Sequence, residues 1–423
     1  MVSTLLRKMI LGLLCTWLIA NQGLTVSGAE KEFFFKPKDK IVFLGDSITE
    51  QYQYSSYIEF YLTTRFPNWQ LTFLNAGISG DTANGGANRF QSHILDEKPT
   101  CVTIDFGMND GGYGKFDKNR NKVFIEKTKA MLEMAKKAGV RVALISPNAV
   151  DRRYKSNGAE YLETQKEFYA PLKQLAEEFN LPYADQYTMT RKEFEMIEKA
   201  NLPKVRPFGD GFHTSPPGGI MMAHSILTLL NAPALVSSVK INLEGKSIKA
   251  DQAEVTETEY GNNSVSFTRK DNCLPLWVFP DAQTLLPFIN NLDDLNRYEL
   301  QVSGLASGKY SILIDDKEVA QYSAEELAKG VNLGNIDKGP IVDQAKAVFN
   351  AINKKNGKVH YRFRQVVMFN PNLPDWLSDL SGEIQKRKKV QLDKILLEIA
   401  KEQEEIYKMV QPKPHKFKVV AVK

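Results

Sequence analysis

A parallel α/β sheet with helices on both faces, followed by a small β-rich module and a helical C-terminal region, is the architecture that this sequence predicts. Three observations carry the prediction. Short apolar runs alternate with helix-length segments from residue 38 to about residue 234. Beyond Pro233 the texture changes to alternating Thr, Val and Tyr with glycine-containing turns. From about residue 324 to 409, apolar residues recur at helical spacing among Lys and Glu.

The strand candidates, in order, are 41–44, 71–74, 102–106, 140–145 and, more weakly, 182–184. Helical patterns fall between them at 55–65, 84–95, 122–138 and 160–179, and a closing helix at 218–230 is entered through Pro216-Pro217. Such alternation buries each strand on both faces and gives a three-layer α/β/α sandwich. In the β-rich stretch, 298–302 and 310–314 flank a glycine-containing loop and suggest a hairpin. Near the end, Leu392, Ile395, Leu396, Ile399 and Ile406 form an apolar seam suited to docking on a core, and 416–422 reads as a short strand or an extended tail.

The length of 423 residues exceeds one ordinary domain. The division expected is a signal peptide at 1–29, an α/β domain at 30–236, a β-rich accessory module at 237–323 and a helical region at 324–423. Arg7 and Lys8 precede an apolar core at 9–20, and Ser27-Gly28-Ala29 supplies small residues before a cut at Glu30. Retention as an uncleaved anchor is the alternative. Export to the periplasm or outside the cell follows, with no stable membrane insertion once the signal is removed. Net charge is only +5, from 55 basic and 50 acidic residues, a mild balance that argues neither for nucleic acid nor for a membrane surface, and no nucleic-acid partner is expected. Cleavage leaves Cys101 and Cys273, too few for a disulfide framework.

Four blocks carry the chemistry. Gly45-Asp46-Ser47 follows the first strand, and Asn75-Ala76-Gly77-Ile78-Ser79-Gly80-Asp81-Thr82 follows the second. Gly107-Met108-Asn109-Asp110 follows the third, and Asp210-Gly211-Phe212-His213 lies before the closing helix. Taken singly, each has a plain structural reading, since Ser47 could cap a helix and Gly80 or Asn109 could serve a turn. In this order and at these spacings they resemble the SGNH/GDSL hydrolase (esterase/lipase) family over about residues 38–234.

The resemblance implies the same three-layer fold. It also implies Ser47 as nucleophile, His213 as general base and Asp210 as the residue that orients His213. The oxyanion hole would comprise the backbone N–H groups of Ser47 and Gly80 and the side-chain amide of Asn109. The residue types suit these roles. A serine hydroxyl needs a neighbouring base, an imidazole titrates near neutrality, and a carboxylate stabilises the imidazolium as it forms. Of the five histidines, only His213 sits in a glycine-flanked loop with a carboxylate three residues before it. No zinc-ligand spacing, phosphate loop or dinucleotide fingerprint occurs, so neither metal nor cofactor is expected. The resemblance implies hydrolysis of an ester; export, near-neutral charge and analogy with many secreted members of the family suggest acetyl groups on a polysaccharide or glycan as the substrate. A lipase or lysophospholipase, and a non-catalytic glycan-binding protein of the same fold, are the alternatives.

Overall fold

In the computed structural model, which describes residues 32–154 and 159–422, five parallel strands lie in the order β2-β1-β3-β4-β5. They are β1 (Lys40–Gly45), β2 (Thr72–Gly77), β3 (Cys101–Asp105), β4 (Arg141–Ile145) and β5 (Tyr183–Ala184). Nearly every residue of β1, β3 and β4 is buried, as expected of strands covered on both faces. The helices between them are α1 (Ser47–Glu50), α2 (Gln53–Arg65), α3 (Ala83–His93), α4 (Lys118–Ala138), α5 (Ala159–Phe179), α6 (Gln186–Lys199) and α7 (Pro216–Leu229). Helix α2 packs against α7 and α3 against α4, making the outer layers of the sandwich. Asp46, Thr82, Asp117 and Asp185 cap helix starts with their side chains, and Gly139 ends α4 in the left-handed conformation.

Two features differ from the sequence reading of this part. Strand β2 continues through Asn75-Ala76-Gly77 because each pairs with β1, reaching Gly45↔Gly77. Helix α6 was not among the predicted elements; Asp185, which accepts from Thr188 N–H, supplies its start signal.

The rest of the chain adds β6 (Leu235–Asn242), β7 (Ser247–Asp251), β8 (Ala253–Gly261), β9 (Ser264–Asp271), α8 (Asn291–Leu295), β10 (Arg297–Ser303), β11 (Lys309–Ile314) and β12 (Lys317–Ser323). Then follow α9 (Ala324–Lys329), β13 (Val331–Asn332), α10 (Pro340–Tyr361), α11 (Ser381–Met409) and β14 (His415–Ala421). These strands form two further sheets, β13-β10-β6-β7 and β12-β11-β14-β9-β8. The hairpin expected from 298–302 and 310–314 is therefore not formed. β10 pairs with β6 and β13, whereas β11 pairs with β12 and β14. The true hairpin is β11–β12, turning at Asp315 and Asp316, both at positive φ as a tight primed turn requires. The last strand, β14, runs between β9 and β11, so the final residues of the chain complete the β-rich sheet. A boundary at 323/324 cuts through that sheet, and residues from Phe33 onward form one compact unit. Cys101 and Cys273 are both free and buried.

Among the described residues, no helix is long and apolar enough to cross a membrane. The predicted signal segment at 1–29 lies outside the described residues.

His224 on α7 is buried, with Nε2 2.9 Å from Asp294 and Nδ1 3.6 Å from Glu193. Burial opposes its charge, yet hydrogen bonding to Asp294 and the two neighbouring carboxylates raise its pKa above the ordinary 6.5. A group whose pKa rises on folding stabilises fully below its unfolded pKa and loses that contribution as pH climbs through the folded value. The Tm of the parent should therefore exceed that of His224→Gln most at pH 6 and progressively less toward pH 9, about the range in which histidines titrate. Scanning fluorimetry of both proteins checks this, and a difference independent of pH would refute it.

Candidate active site

Strand β1 and its neighbour β3 part at the point where the chain order of the sheet reverses, which is where open α/β sheets place their ligands. Gly45 ends β1 there. A Cβ on it would come within 2.2 Å of Thr49 Oγ1 and 2.7 Å of the Asp105 carbonyl, so only glycine lets α1 fold back this tightly. Gly77 opposite has the same constraint, 2.3 Å from Glu50 N. Asp46 caps α1 by accepting from Ile48 N–H at 2.9 Å, and Ser47 becomes the first helical residue.

The loop after β2 is braced from three sides. Glu50 Oε2 accepts from Ser79 N–H at 2.6 Å, and Arg89 pairs with Asp81 at 2.8 Å. The Asn109 amide donates to the Asp81 carbonyl at 2.8 Å, while the Tyr113 hydroxyl donates to Asn109 Oδ1 at 2.6 Å. Gly80 sits at φ +75° beside open space. Among the described residues no acceptor faces the Gly80 N–H, and the Ser47 N–H is one of the unpaired donors of a helix start.

The fourth block closes the constellation. A bridge between Phe208 and Thr214 and a Gly209 N–H to His213 carbonyl bond of 2.9 Å shape the loop that presents His213. Its Nε2 lies 2.8 Å from Ser47 Oγ, and its Nδ1 lies 2.7 Å from Asp210 Oδ2. Asp210 Oδ1 accepts from the backbone N–H groups of Phe212 and His213 at 2.9 and 2.8 Å. Partial burial works against the Asp210 charge, but the His213 side chain and the two N–H groups outweigh it and hold the carboxyl below its ordinary range. An ionised carboxylate only accepts, so Nδ1 carries the proton and Nε2 is left to accept from the Ser47 hydroxyl.

Beneath the serine lie three buried carboxyls. Burial pushes Asp46 and Asp110 up to about 7 and Asp105 well above the carboxylate range. Backbone N–H groups of Ile48 and Ala83 limit the rise at Asp46 and Asp110. Among the described residues no group of three or more His, Cys, Asp or Glu has the arrangement of a metal site.

A cleft of about 400 Å³ opens over Ser47 and His213, bordered also by Glu50, Gln51, Ser79, Asp210 and His360. Gly80 and Asn109 are not among its bordering residues; Gly80 adjoins Ser79 in the chain, and the Asn109 amide is bonded to the Asp81 carbonyl. His360 and Arg364 were not among the sequence-predicted site residues. Arg364 Nε pairs with Glu50 Oε1 at 2.9 Å, and His360 Nε2 lies 3.4 Å from the same oxygen. The far end of the chain thus grips the carboxylate that holds Ser79. No local pattern announces a contact 310 residues apart.

An acetylxylan esterase of Geobacillus stearothermophilus is 24% identical over 211 residues, covering 45% of this chain and 92% of that one. An arylesterase of Vibrio mimicus is 27% identical over 177 residues, covering 40% of this chain and 84% of that one. A solved structure of a gut microbial diltiazem-metabolizing enzyme has a TM-score of 0.79 at 24% identity, covering 93% of this chain and 100% of that one. That likeness extends the shared fold across the β-rich and C-terminal segments. Residues 43–219 match the GDSL-like lipase/acylhydrolase family. The chain therefore carries an ester-hydrolase domain of the GDSL-like lipase/acylhydrolase family.

Proposed function

We propose that the protein is an exported serine esterase that removes short acyl groups, acetyl above all, from a carbohydrate. The observation that carries this reading is the unbroken chain from Ser47 Oγ to His213 Nε2 at 2.8 Å and from Nδ1 to Asp210 at 2.7 Å. Ser47 Oγ attacks the ester carbonyl while its proton passes to His213 Nε2. The tetrahedral oxyanion is held by the N–H groups of Ser47 and Gly80 and by the Asn109 amide. One Asn109 N–H already fixes Asp81; the other has only a long 3.4 Å contact to Asp46 and is available to the oxyanion. Collapse expels the alcohol, which takes the proton from His213. Water then enters by the same route and releases the carboxylate, regenerating Ser47.

The border of the cleft supports a short acyl group. Ser47, Glu50, Gln51, Ser79, Asp210, His213 and His360 all carry polar groups, and none offers a long acyl chain an aliphatic or aromatic side chain to pack on. The carbohydrate and the export belong to this proposal through the signal-like segment at 1–29 and the acetylxylan esterase relative. Steady-state hydrolysis of p-nitrophenyl acetate and octanoate tests the reading. The acetate should be favoured in kcat/KM by at least about tenfold, a margin of roughly 1.4 kcal/mol. Preference for octanoate would move the reading to a lipase, and absence of turnover on both would favour a glycan-binding protein.

A further inference from the structure

Next to the Ser47 cleft lies a second hollow of about 320 Å³ with a different character. Its walls include the rings of Trp277, Phe279 and Phe349 and the amides of Asn350 and Asn353. Gln51 borders both hollows. Gln51 lies four residues beyond Ser47, and its N–H bonds to the Ser47 carbonyl at 3.0 Å, so Gln51 stands about 6 Å from Ser47 along the helix axis. Its side chain is held by the Thr214 hydroxyl at 3.1 Å, immediately beside His213.

The aromatic group is built, not accidental. The Tyr57 hydroxyl donates to the Trp277 carbonyl at 3.1 Å, fixing that segment against α2. The Trp277 and Phe349 ring centroids are 5.9 Å apart, and Phe279 and Phe349 lie within 20° of parallel at 6.4 Å. Asn350 and Asn353 are one helical turn apart on α10, both exposed, and neither amide has a protein partner among the described residues. Flat apolar faces beside unpaired amides suit a ring with a C–H face and hydroxyl edges.

We propose that this hollow is the subsite for the alcohol half of the ester, and that it takes a pyranose ring, with Trp277 against the C–H face and Asn350 and Asn353 toward the hydroxyls. The inference rests on the reading of Ser47 as the nucleophile. It assigns specificity to residues beyond 236, since Trp277 and Phe279 belong to the β-rich segment and Phe349 to α10.

The test compares an acetylated methyl β-glucopyranoside with ethyl acetate, which has no ring, using the full chain. Trp277→Ala should raise KM for the glycoside about tenfold with kcat nearly unchanged, and leave kcat/KM for ethyl acetate within about twofold. The paired Asn350→Ala, Asn353→Ala variant alters only exposed side chains, so it should fold normally and shift the same KM by about fivefold. Equal losses on both esters in the paired variant, or no change on either, overturn the subsite. Binding is read separately, by calorimetric titration of the glycoside into Ser47→Ala. Heat of binding that disappears with Trp277→Ala supports the subsite even if hydrolysis fails, and absence of binding overturns it even if ethyl acetate is hydrolysed.

Discussion

Replacing Ser47 by alanine is expected to lower kcat on p-nitrophenyl acetate by about 10⁵–10⁶-fold, with His213→Ala falling to a similar floor and the double variant going no lower. The non-additivity is the informative part. Once Oγ is gone, His213 has no proton to take; once the imidazole is gone, the hydroxyl remains a weak nucleophile. The residual rate above water comes from whatever donors still stabilise an oxyanion. Asp210→Asn should fall between, because an amide that donates to Nδ1 turns the imidazole to the wrong tautomer. Asp210 is half exposed, so solvent softens its effect. KM should move little in all of these, because none removes binding surface. Steady-state kinetics of the singles and the double decide the matter. If the double variant loses the product of the two single effects, Ser47 and His213 act independently and the nucleophile–base pairing is wrong.

Lys355→Met is expected to be the most destabilising single change, costing about 3–5 kcal/mol. Lys355 is buried on α10 and pairs with Glu59, equally buried on α2. The Asn356 amide donates to Glu59 at 3.0 Å, and the Lys355 ammonium also donates to Gln403 on α11 at 2.9 Å. Removing the lysine leaves the buried Glu59 carboxylate without its counter-charge. The expected fall in Tm is on the order of 5–10 °C. Glu59→Leu combined with Lys355→Met should recover most of that loss, since an apolar pair of similar volume needs no compensation. The single variant should also slow turnover, because α10 carries the chain into Arg364, which holds Glu50 and through it Ser79. A Tm for Lys355→Met within a degree of the parent would sink the argument.

The two outcomes lie at different depths of the sequence. The turns that hold Ser47, Gly80, Asn109, Asp210 and His213 were legible because each directly follows an apolar strand or precedes a helix. A parallel sheet brings the ends of such strands to one edge whatever the surrounding detail. The β10–β11 hairpin was misread because alternation specifies which face of a strand is buried and says nothing about which strand lies beside it. Gly304 and Gly308, both at positive φ, carry the chain from one sheet into the other, and the partner edges of β10 were already taken by β6 and β13. Helix α6 carries its start signal in the Asp185 cap alone, with no expected strand following it.

By itself, then, the sequence determined the central parallel sheet, most of the helices between its strands and the turns in which Ser47, Gly80, Asn109, Asp210 and His213 lie. Those depend on short-range periodicity and turn chemistry, which are local properties of the chain. Tertiary structure alone decided that His360 and Arg364 meet Glu50, that Lys355 meets Glu59, that β14 completes the β-rich sheet and that Trp277 and Phe349 share a wall beside the serine. Each of these joins groups tens to hundreds of residues apart. Their proximity comes from docking α10 and the β sheets onto α2, a packing outcome set by the whole burial pattern and by no local one.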